Sequence, residues 1–226
     1  MNQDISICVL TENEMGWTEP FELDKVQILD NYYLSAQKSD IAFLKKMDTA
    51  RLLAGFRTTA GIDTKGVRPY GGWEDSLLGG HCVGHYLTAL AQAVKVTGDK
   101  ELKEKSQTLI AGLEECQKKL GTGFLFGAKV EDKEDVEKQF DILEGKKKGE
   151  TWVPWYNMHK VLAGLVDTYK YTGNQTALET AEALGDWIYD RAAGWDTATR
   201  NRVLGIEYGG MNDCLYELYA VTQNDK

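Results

Sequence analysis

The sequence predicts an all-α fold, a layered ring of helical hairpins, and two observations carry that prediction. Three segments repeat one pattern, an apolar helix-like stretch followed by Thr and a polar turn: Leu87 to Asp99 (LTALAQAVKVTGD), Leu162 to Asn174 (LAGLVDTYKYTGN) and Asn212 to Asn224 (NDCLYELYAVTQN). Between them two kinds of helix alternate. One kind opens on a loop carrying aromatic, His, Asn and Glu residues, and the other is plainly amphipathic (ELKEKSQTLIAGLEECQKK). Hairpins of this sort bury their apolar faces against their neighbours, with inner helices starting at a functional rim and outer helices facing solvent.

Taken in order, Ile5 to Leu10 reads as a short strand, and residues 1–20 as an N-terminal extension ahead of the helical domain, 21–226. Asp24 to Met47 reads as one helix with a wide apolar face of Val26, Ile28, Leu29, Tyr32, Tyr33, Ala36, Ile41, Phe43 and Leu44. Arg51 to Phe56 adds a short helix, and a loop rich in glycine and proline follows from Gly61 to Gly80. His81 to Thr97 and Glu101 to Leu120 form the first strong hairpin, closed by Gly98 and Gly121. Gly121 to Gly149 is an irregular connection whose charged stretch EDKEDVEKQFD suits a surface helix. Trp155 to Thr172 pairs with Gln175 to Ala192. Gly194-Trp195 opens a loop, and Gly209 to Thr222 is the last helix. Only Asp225 and Lys226 remain after its turn, so the expectation is an array stopped on half a hairpin, with an apolar face (Leu215, Leu218, Tyr219, Val221) left for self-association.

Composition narrows the function. A net charge of −9 argues against a nucleic-acid partner, whose footprint is a basic stripe. The one basic cluster, Lys146-Lys147-Lys148, reads as a solvated loop. No stretch approaches the ~20 apolar residues of a membrane span. The first residues lack the basic and apolar regions of a secretory signal. Cys8, Cys82, Cys116 and Cys214 are far apart and read as buried free thiols, so a cytoplasmic location is the default.

The chemistry-bearing residues gather at the three inner-helix starts. The first start holds Trp73, Glu74 and Asp75, then His81 and His85, whose spacing of four puts both imidazoles on one helix face. That spacing could bind zinc, but no catalytic Glu lies between them and no third ligand is near, so hydrogen bonding is the favoured reading. The second start, TWVPWYNMHK, brings two Trp, Tyr156, Asn157 and His159 together. Aromatic faces stack on the apolar side of a sugar ring while amide and imidazole groups take its hydroxyls, and capping of a core is the competing reading. The third, EYGGMND, sets Glu207 and Asn212 beside paired glycines that let backbone approach a ligand. Glu74 and Glu207 are candidates for acid/base work, since glycoside hydrolysis generally needs two carboxylates.

PYGGWED, GGHCVGHYLTALA, WVPWYNMHKVLAGL and EYGGMND, in that order, resemble the catalytic domain of the glycoside hydrolase 127/146 group, β-L-arabinofuranosidases, with the likeness starting near Phe21. The resemblance implies an (α/α)6 barrel, of which this chain would be roughly the N-terminal half. It also implies a retaining mechanism with a cysteine nucleophile, a zinc ion held by cysteines and a Glu, and another Glu as acid/base. The cysteine and glutamate motifs that carry this chemistry lie in the family beyond the GGMN-type segment. None of the four cysteines is therefore assigned as nucleophile or metal ligand, no catalytic residue or cofactor is assigned to this chain, and zinc is expected of the full-length enzyme. What the resemblance carries over is sugar contact by His159, rim positions for Trp73, Glu74, His81 and His85, and the next rim position for Glu207 and Asn212. It does not make Glu207 the acid/base. The resulting expectation is a glycosidase acting on terminal L-arabinofuranosyl groups of plant glycans, with this chain an inactive part of it. The alternative is a non-catalytic carbohydrate-binding or helical interaction module.

Overall fold

The repeated Thr motif is a hairpin hinge, built the same way each time. In the computed structural model, which describes residues 20–226, Thr97 donates its hydroxyl to the Ala93 carbonyl and accepts the Asp99 N–H. Gly98 takes the left-handed conformation that ends one helix, and Asp99 caps the next by accepting from the N–H groups of Glu101 and Leu102. Thr172, Gly173 and Asn174 repeat the device, with Asn174 capping at Ala177. At the third copy Gln223 occupies the left-handed position that glycine fills in the other two (φ 56°).

These hinges join nine helices among the described residues: α1 (Asn31–Lys46), α2 (Thr49–Thr59), α3 (His81–Thr97), α4 (Lys100–Leu120), α5 (Lys138–Leu143), α6 (Pro154–Thr172), α7 (Gln175–Ala193), α8 (Thr197–Leu204) and α9 (Gly210–Thr222). Helices α3, α6 and α9 pack side by side as an inner row, with α1 against α3. Helices α2, α4 and α7 form the outer row behind them. The fold is all-α and of the (α/α)-barrel type, as the hairpin reading predicts. The expected strand at Ile5 to Leu10 and Cys8 lie outside the described residues.

The inner row is set by glycine. A Cβ on Gly84 would overlap the Lys160 carbonyl, and one on Gly164 would crowd the Gly84 backbone. The axes of α3 and α6 therefore approach until backbone meets backbone, and the starts of the two helices come level. Glycine inside a helix costs roughly 1 kcal/mol against alanine, and this close approach is what offsets it.

Four sequence expectations change. The single helix over Asp24 to Met47 divides at Asp30, whose carboxylate accepts from Tyr32 and Tyr33 N–H and so starts α1 there; a short 3-10 turn, Leu23–Lys25, precedes it. The apolar face read on that helix is exposed at Val26, Leu29, Tyr32, Tyr33 and Phe43. The loop after Gly194 contains α8, capped by Asp196. The connection from Gly121 to Gly149 has only six residues of helix, α5, and much of it is core. Phe124, Phe126 and Phe140 are buried against one another and against Trp187. Its acidic residues Glu137, Asp141 and Glu144 converge on the half-buried Arg191 of α7, so the charged stretch is a clamp onto the outer row. Lys146 and Lys147 are held in the same network.

Candidate sugar-binding site

The starts of α3, α6 and α9 meet at one end of the inner row and enclose a cleft of about 420 Å³. Trp73, His81, Tyr156, His159 and Glu207 line it, together with Trp152, Tyr208 and Met211. Four aromatic rings are open to solvent around it: Trp73 (65 % exposed), Trp152, Tyr156 and Tyr208 (83 % exposed). The rings of Trp73, His81, Tyr156 and His159 run in a chain, each about 6 Å from the next (6.2, 6.0 and 5.9 Å).

The two carboxylates share a structural task. Helix α3 opens on Gly80, which has no side chain to cap it, and Glu74 reaches back from the 3-10 turn Gly72–Asp75. Its oxygens accept from Gly80 N–H at 3.0 Å and Cys82 N–H at 3.2 Å. Helix α6 opens on Val153 with Pro154 at its first position, again without a capping side chain, and Glu207 Oε2 accepts the Tyr156 N–H at 2.7 Å. The Trp155 N–H also faces this carboxylate, while Oε1 is buried and closes no hydrogen bond of good geometry. Each acid thus supplies the cap its helix lacks, Glu74 from the loop just before α3 and Glu207 from the distant loop before α9, where the positive end of the helix dipole favours it. Burial raises the Glu207 carboxyl to about 7, against the pull of those two N–H groups.

The three histidines of the chain all sit here. His81 Nδ1 lies 2.9 Å from Glu74 Oε1 and 2.8 Å from the Leu78 carbonyl, so that nitrogen carries the proton and Nε2 is left for the cleft. The hydrogen bond to Glu74 raises its pKa above the usual imidazole value. His159 is lowered to about 4, first by burial and then by the adjacent Lys160, so it is neutral at pH 7. Its ring lies against Gly210, where a Cβ would overlap the imidazole. His85 meets His81 edge-on at 6.1 Å and is lowered by burial, Lys160 and His81.

The structure brings Trp73, His81, Tyr156, His159 and Glu207 together on the cleft and leaves other sequence candidates off it. Asn157 is 1 % exposed and donates to the Leu77 carbonyl, because its place on α6 faces the loop before α3. Glu74 lies behind His81, spent on the α3 cap. His85 and Asn212 are exposed beside the cleft and do not line it. Trp152, one of the two Trp of the second motif, and Tyr208 of the third line the cleft as exposed rings, and sequence does not separate such a ring from a core ring such as Trp155. The latter packs on Phe140, Trp187 and Trp195.

No set of three or more His, Cys, Asp or Glu among the described residues is arranged to hold a metal ion. Burial pushes the thiols of Cys116 and Cys214 to about 12 and raises Cys82, the opposite of what a thiolate ligand or nucleophile requires. The zinc site implied by the resemblance does not fit these residues. No helix among them is long and apolar enough to cross a membrane.

No match was found among curated proteins. Among solved structures, the chain is similar to a GH127 β-L-arabinofuranosidase from Geobacillus stearothermophilus T6, at 19 % identity and a TM-score of 0.54. That alignment covers 86 % of this chain and 27 % of the other, so the chain spans about a quarter of the length of the structure it matches. The family model for the β-L-arabinofuranosidase GH127 catalytic domain matches residues 25–226, and the chain belongs to that family.

Proposed function

We propose that this protein is part of a retaining glycosidase for terminal β-L-arabinofuranosyl groups of plant glycans, and that this chain supplies sugar-binding residues of its pocket. The observation that carries the reading is the cleft at the three helix starts, where a neutral His159 and the free Nε2 of His81 face in among four exposed aromatic rings. Rings of this kind stack on the apolar face of a furanose, and the imidazoles exchange hydrogen bonds with its hydroxyls. Membership of the family supports the choice of sugar.

In this reading the residues described here bind without cleaving. Glu74 and Glu207 are engaged as helix caps, and the three described cysteines are protonated at neutral pH. A glycan-binding module without hydrolytic activity is the second reading, favoured by that same engagement. The test is a titration of the 226-residue chain with methyl β-L-arabinofuranoside. Quenching of tryptophan fluorescence that saturates, with no release of arabinose, is the expected result. His159→Ala should weaken binding roughly 5- to 10-fold, the loss of about one hydrogen bond. Absence of any saturable signal defeats the sugar reading, and release of arabinose defeats the claim that these residues do not cleave.

A further inference from the structure

Lys160 is a strong cation beside the imidazoles, and among the described residues no carboxylate pairs with it. It is half-buried, it follows His159 on α6, and its Nζ lies 5.0 Å over the Tyr156 ring that walls the cleft. Among the described residues it makes no ion pair and no side-chain hydrogen bond. By contrast Lys170, on the same helix, is paired with Glu217, and Lys45, Lys95 and Lys147 are each paired with two carboxylates. The nearby acids are otherwise placed. Glu74 is on the α3 cap and His81, Glu207 on the α6 cap, and Asp167 accepts from Thr88. Asp213 of α9 is close enough to act on His159 electrostatically but forms no salt bridge with Lys160. His85, exposed on α3, follows Gly84, whose backbone packs against the Lys160 carbonyl. Its pKa is lowered first by burial and then by Lys160, so the imidazole lies close to Lys160 beside the cleft wall formed by Tyr156. A half-desolvated ammonium with no carboxylate partner favours an acceptor carrying full negative charge over a neutral hydroxyl.

We infer that Lys160 and His85 form an anion subsite next to the sugar cleft, and that the preferred glycan carries a carboxylate, as a uronic acid, on the residue adjoining the arabinofuranose. This rests on the sugar reading above and narrows its substrate class.

Two disaccharides of identical linkage, arabinofuranosyl-galacturonic acid and arabinofuranosyl-galactose, provide the test, titrated by calorimetry and tryptophan fluorescence at low salt. The acidic ligand should bind about tenfold more tightly, ~1.4 kcal/mol. Lys160→Met, which keeps the stem over Tyr156, should abolish the difference while leaving the neutral ligand's affinity in place. Raising the ionic strength of the unsubstituted protein should shrink the preference as well, which gives a readout even if the variant fails to fold. Equal affinity for the two ligands, with the neutral one bound, overturns the anion subsite and leaves the sugar reading standing. Binding of neither overturns both. Displacement of the acidic disaccharide by an equal concentration of acetate shows a plain anion site and overturns the acidic-glycan assignment.

Discussion

Burial moves two cleft residues in opposite directions, and the pH dependence of the protein follows from them. Unfolded, His159 has a pKa near 6.5, and in the fold it falls to about 4. The unfolded chain therefore binds more protons between those values, and this residue's contribution to stability is lost as pH falls from 6.5 toward 4. Glu207 runs the other way: its carboxyl rises from 4.5 to about 7, so the folded state holds the extra proton and stability falls as pH rises through that window. The two slopes oppose each other over most of this range, so melting temperatures of the unsubstituted protein followed across pH 4 to 7.5 should show little net effect of the pair. His159→Gln should unmask the Glu207 slope, a melting temperature that falls as pH rises, and Glu207→Gln should unmask the His159 slope, one that falls as pH drops. If the two variants track the unsubstituted protein at every pH, the burial assigned to these groups is wrong. Glu207→Gln keeps an acceptor for the Tyr156 N–H, whereas Glu207→Ala removes the cap and should cost about 1 kcal/mol in denaturant unfolding.

Helix α3 and helix α6 are matched elements, and the match depends on two residues with no side chain. Replacing Gly84 by alanine places a methyl group on the Lys160 carbonyl, a backbone atom that cannot rotate away. The helices must separate, at a cost of roughly 1–3 kcal/mol or more, although alanine is the better helix former. For a chain of this size that lowers the melting temperature by roughly 2–4 °C per kcal/mol. Because Lys160 adjoins His159, the same substitution should also weaken arabinofuranoside binding. A Gly84→Ala protein with unchanged melting and unchanged binding would contradict the close packing described here. The capping acids work at this scale too, since each ties a loop to the helix whose first turn carries cleft residues.

Over the described residues, the exposed large apolar side chains gather mainly on α1 and the segment before it, around the cleft, and at the edge of a groove between α7, α8 and α9. Helix α1 and the segment before it expose Phe21, Val26, Leu29, Tyr32, Tyr33 and Phe43, and α1 itself buries no residue fully. A second apolar hollow of about 430 Å³ runs between α7, α8 and α9, lined by Ile188, Trp195, Leu204, Leu215, Leu218 and Tyr219 among others. Uncovered apolar surface on this scale drives association. The 226-residue chain should therefore bind a hydrophobic dye and grow in hydrodynamic size with concentration, as light scattering would measure. Leu29→Lys together with Tyr33→Lys should reduce both without lowering the melting temperature, because neither side chain is buried. A monodisperse, dye-free monomer at every concentration would be the contrary result.

The sequence by itself determined the helices and their hinges, because those are local. Helical periodicity, the Thr-Gly-Asp and Thr-Gly-Asn turns and the glycine stops place α3, α4, α6, α7 and α9 within a residue or two of where they lie. The same short-range chemistry marked the rim motifs, since aromatic, His and Glu residues cluster beside each inner helix start. It also misled where a local competitor was passed over: Asp30 and Asp196 each start a helix by capping, and the face of α1 that looked like core is exposed. Tertiary structure alone decided which rim residues face the cleft. Asn157 and Tyr156 are neighbours in the chain, yet about 100° apart around the helix, so one is buried against Leu77 and the other meets solvent. It also decided the work of the acids. Glu74 and Glu207 look alike in sequence as candidate acid/base groups, and only the folding of the preceding loop onto α3 and of a distant loop onto α6 shows them to be caps.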